Sequence, residues 1–164
     1  MFSVDEYIGS IKTNLEKQSD VLVENLREVL GYNFSSDVAL LDFSASIEPT
    51  RFELSVTLFS MDKEANEVFS EDNDPAIFAG SAEVLPEIEY HQLNGSELDD
   101  FFDFYENNEE IVFPKEQAAF TAWFSQCWKK AGGANCDLPA YFIFNDESKS
   151  YDLKNARWID DDEK

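Results

Sequence analysis

The stretch Leu41-Asp42-Phe43-Ser44-Ala45-Ser46-Ile47-Glu48, then Pro49-Thr50, then Arg51-Phe52-Glu53-Leu54-Ser55-Val56-Thr57-Leu58, decides the fold class. Leu41, Phe43, Ala45 and Ile47 alternate with polar neighbours, and Phe52, Leu54, Val56 and Leu58 do the same. Successive side chains of a strand point to opposite faces, so a period of two describes a strand with one face on a core and one toward solvent. The connection at Glu48-Pro49-Thr50 is short enough to close a hairpin, which makes the pair antiparallel.

Upstream the period is helical. Val4, Tyr7, Ile8, Ile11 and Leu15 recur at steps of three and four, and Leu22, Leu26, Val29 and Leu30 resume the pattern. This predicts one helix, or two with a weak joint. Ser3 and Glu6 fit a capping box at the start, and Gly31 suits a left-handed stop. Downstream, Glu67 to Phe69 and Ala76 to Val84 predict one or two further strands around a loop from Ser70 to Pro75, with Gly80 as a bulge. Ile88, Tyr90 and Gln92 suggest another short strand that ends at the turn dipeptide Asn94-Gly95.

Leu98, Phe101, Phe102 and Tyr105 then share a helical face, with Ser96 as the cap. A separate helix is expected from about Pro114 to Ala131, with proline in its first turn, Phe120, Trp123, Phe124, Cys127 and Trp128 on one face, and Gly132-Gly133 as its stop. Ala140 to Phe144 and Tyr151 to Trp158 read as closing strands, and Asp160 to Lys164 as a frayed acidic tail. The order of elements lacks the regular βαβ rhythm of a doubly wound sheet. It predicts a single α+β domain, an antiparallel sheet with helices packed mainly on one face.

The 164 residues carry 35 acids and 12 Lys plus Arg, a net charge of −23. Such a surface repels nucleic-acid phosphates and anionic lipid, so neither nucleic acid nor a membrane is expected as a partner. The 15 Phe, 6 Tyr and 3 Trp supply the apolar area that a disordered acidic chain lacks. No stretch reaches the roughly 18–20 apolar residues of a membrane helix, and MFSVDEYIGS has no signal-peptide pattern. Cys127 and Cys136 are too far apart for a C-x-x-C pair, and Cys127 falls within an apolar stripe as a reduced thiol. Together these predict a cytoplasmic protein.

The charge is uneven. Residues 64–110 hold 15 acids and no Lys or Arg. A patch of one sign focuses potential and steers a cationic partner. Within it Phe101-Phe102-Asp103-Phe104-Tyr105 mixes rings with carboxylates. The candidate partner-binding residues are Asp99, Asp100, Asp103, Phe104, Glu106, Glu109 and Glu110, with Phe104 as an exposed anchor in an acidic rim. Two blander readings stand beside this one: Phe104 packs under a neighbouring loop, and the acids serve only solubility.

Catalytic signatures are missing from the sequence. His91 is the single histidine, and no nucleophile elbow, zinc-protease helix, Walker A or dinucleotide fingerprint is present. A surface or cap role is expected for His91. The acidic runs Glu71 to Asp74 and Asp146 to Asp152 lack the glycine and terminal glutamate of an EF-hand, so no metal or other cofactor is expected. Gly132-Gly133 follows a helix, whereas a phosphate cradle opens one.

By its size, acidity, α+β order and the Phe101 to Tyr105 run set among Asp99, Asp100, Glu106, Glu109 and Glu110, the chain resembles small acidic cytoplasmic immunity proteins of bacterial toxin systems. That resemblance implies a non-enzymatic inhibitor whose acidic face covers the cationic cleft of a basic partner such as a toxin domain. The alternatives are a nucleic-acid mimic and a carboxylate-dependent enzyme or metal-binding protein. The last of these predicts a concave site with carboxylates of raised pKa.

Overall fold

The computed structural model describes residues 2–69, 76–145 and 147–164. The loop expected from Ser70 to Pro75, the acidic run Glu71 to Asp74 and Asp146 lie outside the described residues. Ser3 Oγ accepts from the Glu6 amide at 3.2 Å and opens α1 (Val4–Glu16). After two residues α2 (Ser19–Leu30) follows, so the weak joint divides two helices. Gly31 ends α2 with φ −87°, in the right-handed region instead of the left-handed one expected.

β1 (Leu40–Glu48) and β2 (Glu53–Met61) pair antiparallel with Glu48 opposite Glu53. Phe52 was expected in the strand. It stands instead in the hairpin loop at φ +54°, a rare conformation for a bulky residue. That turn swings its buried ring against Tyr90, His91 and Phe101.

β3 (Ser81–Glu89) merges the segments read as separate strands. Its register against β2 shifts twice, between Leu54 and Val56 and between Val56 and Thr57, so Val84 and Leu85 are both buried and the period of two is lost. Pro86 is tolerated because β3 lies at the sheet edge. Gly80, with φ +95°, makes the turn into β3 and exchanges hydrogen bonds with Ser60 Oγ of 2.7 and 2.8 Å.

The two helices expected around Pro114 form one, α3 (Leu98–Lys130), with Pro114 inside it. Its N-cap is Glu97, after a 3-10 turn at Gly95–Glu97, so Ser96 does not cap it. The reason for continuity is an apolar stripe that runs past the proline: Phe101 and the half-buried Phe104 and Tyr105 before it, Val112 beside it, and Ala119, Phe120, Trp123, Phe124, Cys127 and Trp128 after it. Pro114 is exposed, so the carbonyl deprived of its partner is left to water. At the C-terminus Gly132 takes φ +98°, as a helix stop requires, and any Cβ on Gly133 would strike the buried Trp128 indole.

β4 (Ala140–Phe144) follows, then β5 (Lys149–Asp152) and β6 (Arg157–Asp160). The segment Tyr151 to Trp158, read as one strand, is a hairpin whose turn is held by Asp152. The sheet order is β3-β2-β1-β4-β5-β6, antiparallel except between β1 and β4. A parallel return requires a long crossover, and α3 lies in it, about 50 Å long at 1.5 Å per residue.

All three α-helices contribute to one core on the sheet face that bears Phe43, Val56 and Phe142. The opposite face holds a small cluster of Leu40, Tyr141 and Ile159. There the residues expected to fray are tied down. Asp161–Glu163 form a 3-10 turn with a capping box from Asp160, and Lys164 Nζ meets Asp42 Oδ1 at 3.0 Å over the Tyr141 ring. Among the described residues no helix is long and apolar enough to cross a membrane.

Candidate functional site

The N-terminal half of α3 lies only partly on the core, and its outer side carries the acids. Asp99, Asp100, Asp103, Glu106, Glu109 and Glu110 are all exposed. Residues three and four apart are neighbours on a helix, so Asp99, Asp103, Glu106 and Glu110 form one stripe, with Asp100 at its edge beside Asp103. Beside that stripe Phe102, Glu106, Glu109 and Phe113 make a second, which interleaves two exposed rings with two carboxylates. Phe104 is half-buried against Phe2 and Phe101, with ring centroids 5.9 Å apart in each case. It is therefore not the exposed anchor. That place belongs to Phe102 at 36% exposure, Phe113 at 42% and Ile111 at 54%.

These carboxylates have no internal cations. Among the described residues the ion pairs are Arg51 with Glu53, and Lys164 with Asp42 and Asp161, none of them on α3. Crowding continues at the hairpin end of the sheet. Glu53 lies opposite Glu48 and Glu89, and the nearby Glu87 carboxyl pushes its pKa up. Like charges at close range disfavour ionisation, which is the direction of that shift.

Next to the second stripe a cleft of about 460 Å³ opens between α3 and the ends of β1 and β4. Its rim includes the exposed Glu109, Phe113 and Glu147, and its deep wall includes the buried Tyr90, Phe120, Phe144 and Glu116. Glu116 is 7% exposed. Tyr7 Oη donates to its Oε2 at 2.6 Å, and Tyr105 Oη donates to its Oε1. Burial raises the Glu116 pKa, and the two hydroxyls oppose that rise without cancelling it. Tyr7 and Tyr105 are in turn pushed above the usual phenol value by burial and by the adjacent carboxylate.

His91 lies close by and is not at the surface as expected. It is buried, with Nδ1 3.0 Å from Ser10 Oγ and with Tyr7, Phe52 and Phe101 around the ring. Its Nε2 is buried without a hydrogen-bond partner. Burial lowers its pKa, and Glu97 opposes this weakly.

Of the second acidic run, Asp152 is occupied structurally: its carboxylate accepts from the Lys154 and Asn155 amides at 3.0 and 3.1 Å and from Asn155 Nδ2 at 2.7 Å. Both cysteines are free thiols, and Cys127 is buried. The sequence reading missed Phe102 and Phe113 as exposed rings, and it missed Glu116, Tyr90 and Tyr105 as a cleft. One signal for Glu116 was available, since a charged residue sits four positions before Phe120 on an apolar stripe. No protein-family model matches the chain, and no curated protein or solved structure matches it.

Proposed function

We propose that this protein is a binding module that neutralises a basic protein partner, in the manner of an immunity protein against a toxin, and that α3 presents the contact face. One observation carries the reading: Asp99, Asp103, Glu106 and Glu110 form an exposed stripe with no internal cation, flanked by exposed Phe102 and Phe113. Uncompensated carboxylates steer a cationic surface into place and repel one another until it arrives. Exposed rings beside them supply the desolvated anchors that hold a partner after encounter. In this reading the protein acts in the cytoplasm by occlusion and not by turnover, and it takes no cofactor.

The test uses the full chain as bait in extracts of its native organism, beside an Asp99→Lys, Asp103→Lys, Glu110→Lys variant. The expected result is one dominant basic protein that wild type retains at near-physiological salt, forming a stoichiometric complex when repurified. The variant should associate with it roughly tenfold more slowly or worse. A complex that forms equally fast with the reversed stripe overturns the assignment of this face, and retention of many unrelated nucleic-acid-binding proteins in place of one overturns the dedicated inhibitor.

A further inference from the structure

The cleft beside the second stripe has a chemistry that the acidic face alone does not explain. Its aromatic walls come from three elements or their ends: Tyr105 and Phe113 on α3, Tyr90 after β3, and Phe144 at the end of β4. Glu116 stands at depth and Glu109 at the rim, and among the described lining residues there is no lysine or arginine. At about 460 Å³ it falls within the roughly 300–1,000 Å³ of sites that enclose a small ligand or an inserted side chain.

We infer that this cleft is a pocket for an arginine side chain of the basic partner. The inference rests on the reading above of a module that binds such a partner, and it names the group recognised. A guanidinium is planar and weakly hydrated, so it stacks on aromatic faces while its edge meets a carboxylate. Among the described residues the Glu109 carboxylate has no hydrogen bond or ion pair, and it is free to accept that edge at the rim. Glu116 contributes differently. Its two oxygens already accept from Tyr7 and Tyr105, so it supplies negative potential at the bottom of the cleft while keeping capacity for one further donor.

A lysine ammonium is a poorer match, because it is strongly hydrated and has no flat face to lie between rings. A divalent metal matches worse: the walls offer hydrocarbon where it needs oxygen, and the deep carboxylate is already engaged by two hydroxyls. Neutral apolar ligands leave Glu109 unanswered.

The test is amide and side-chain NMR of the full chain titrated with N-acetyl-arginine methylamide, and separately with the lysine analogue. Expected are saturable shifts at Tyr105, Glu109, Phe113 and Gln117. Affinity should fall about tenfold in Glu109→Gln, Phe113→Ala, and several-fold for the lysine probe against wild type. Both substitutions lie at exposed positions, and an unchanged spectrum elsewhere establishes that the variant is folded. Shifts that are scattered over all exposed acids without saturation, that are equal for the two probes, or that survive the double substitution overturn the pocket. A parallel titration with an arginine nonapeptide separates the two levels. Nonapeptide binding that weakens in the Asp99→Lys, Asp103→Lys, Glu110→Lys variant, without arginine-probe shifts at the cleft, overturns the pocket and leaves the acidic face standing. Cleft shifts that persist while the reversed stripe changes nothing support the pocket and overturn the face.

Discussion

Tyr7 Oη donates to Glu116 Oε2 at 2.6 Å, across 109 positions of sequence, and this one contact ties α1 to the middle of α3. The Tyr105 hydroxyl holds the other oxygen. A carboxylate inside an aromatic core is tolerated only because both oxygens are satisfied, and even so burial leaves its pKa above the ordinary value.

A pH dependence with a definite sign follows. Unfolded Glu116 ionises near the ordinary value of about 4.3, whereas the folded group holds its proton to higher pH. Its contribution is therefore fully present below about pH 4.3 and is lost as pH rises through the folded pKa. Urea midpoints across this range should show that loss in wild type and not in Glu116→Gln. Tyr7→Phe removes one of the two donors and should cost about 1–3 kcal/mol while steepening the same loss. A Glu116→Gln profile that parallels wild type is incompatible with this account.

His91 acts in the opposite direction. Burial among Tyr7, Phe52 and Phe101 depresses its pKa, so below about pH 6.5 the unfolded chain takes up a proton that the folded ring refuses. Stability due to this site is present above about pH 6.5 and is lost as pH falls through the folded pKa. His91→Phe should flatten that acid-side loss, because a phenyl ring takes up no proton. NMR titration of the imidazole in wild type gives the folded value directly, and a midpoint at or above the free histidine value contradicts the prediction.

Asp42 and Lys164 meet at 3.0 Å with side chains 9% and 10% exposed. Burial, with the nearby Asp161 charge, raises the Asp42 pKa more than Lys164 lowers it. Lys164→Met should then be worse than removal of the pair. It strands a buried carboxylate and should cost about 2–4 kcal/mol, whereas Asp42→Asn with Lys164→Met should recover most of the loss. A double-mutant cycle in urea measures this, and additive effects of the two single changes exclude a coupled pair.

The sequence was legible where one physical signal acted alone. In β2 the period of two has no competing feature from Leu54 to Leu58, and α1 and α2 carry uninterrupted apolar stripes. It was illegible where tertiary context outvoted a local rule. β3 hides its period in two register shifts, and Pro114, a helix-start signal, sits inside a helix. The exposed acids of α3 could be named from composition, since nothing but water faces them. The cleft could not, because Tyr90, Phe113, Glu116 and Phe144 converge only once α3 crosses the sheet.

Pro114 gives the last prediction. Proline lacks the amide that would bond the Glu110 carbonyl, and in a helix interior it is about 3 kcal/mol less favourable than alanine. The proline also restricts the unfolded chain, which offsets about 1 kcal/mol of that difference. Its exposure means no packing is lost on replacement. Pro114→Ala should therefore raise stability by about 1–2 kcal/mol with undiminished helical circular dichroism, as one continuous α3 requires. Two separate helices meeting at this point would respond differently, because a first-turn proline has no amide to lose and its removal brings no gain. The same substitution probes the cleft, since Phe113 and Glu116 lie one position before and two after Pro114 and line it. A stabilised variant with unaltered arginine-probe affinity indicates that the ring has no part in shaping the pocket, whereas a gain in stability accompanied by weaker binding identifies local distortion at Pro114 as what presents Phe113 and Glu109 to a ligand.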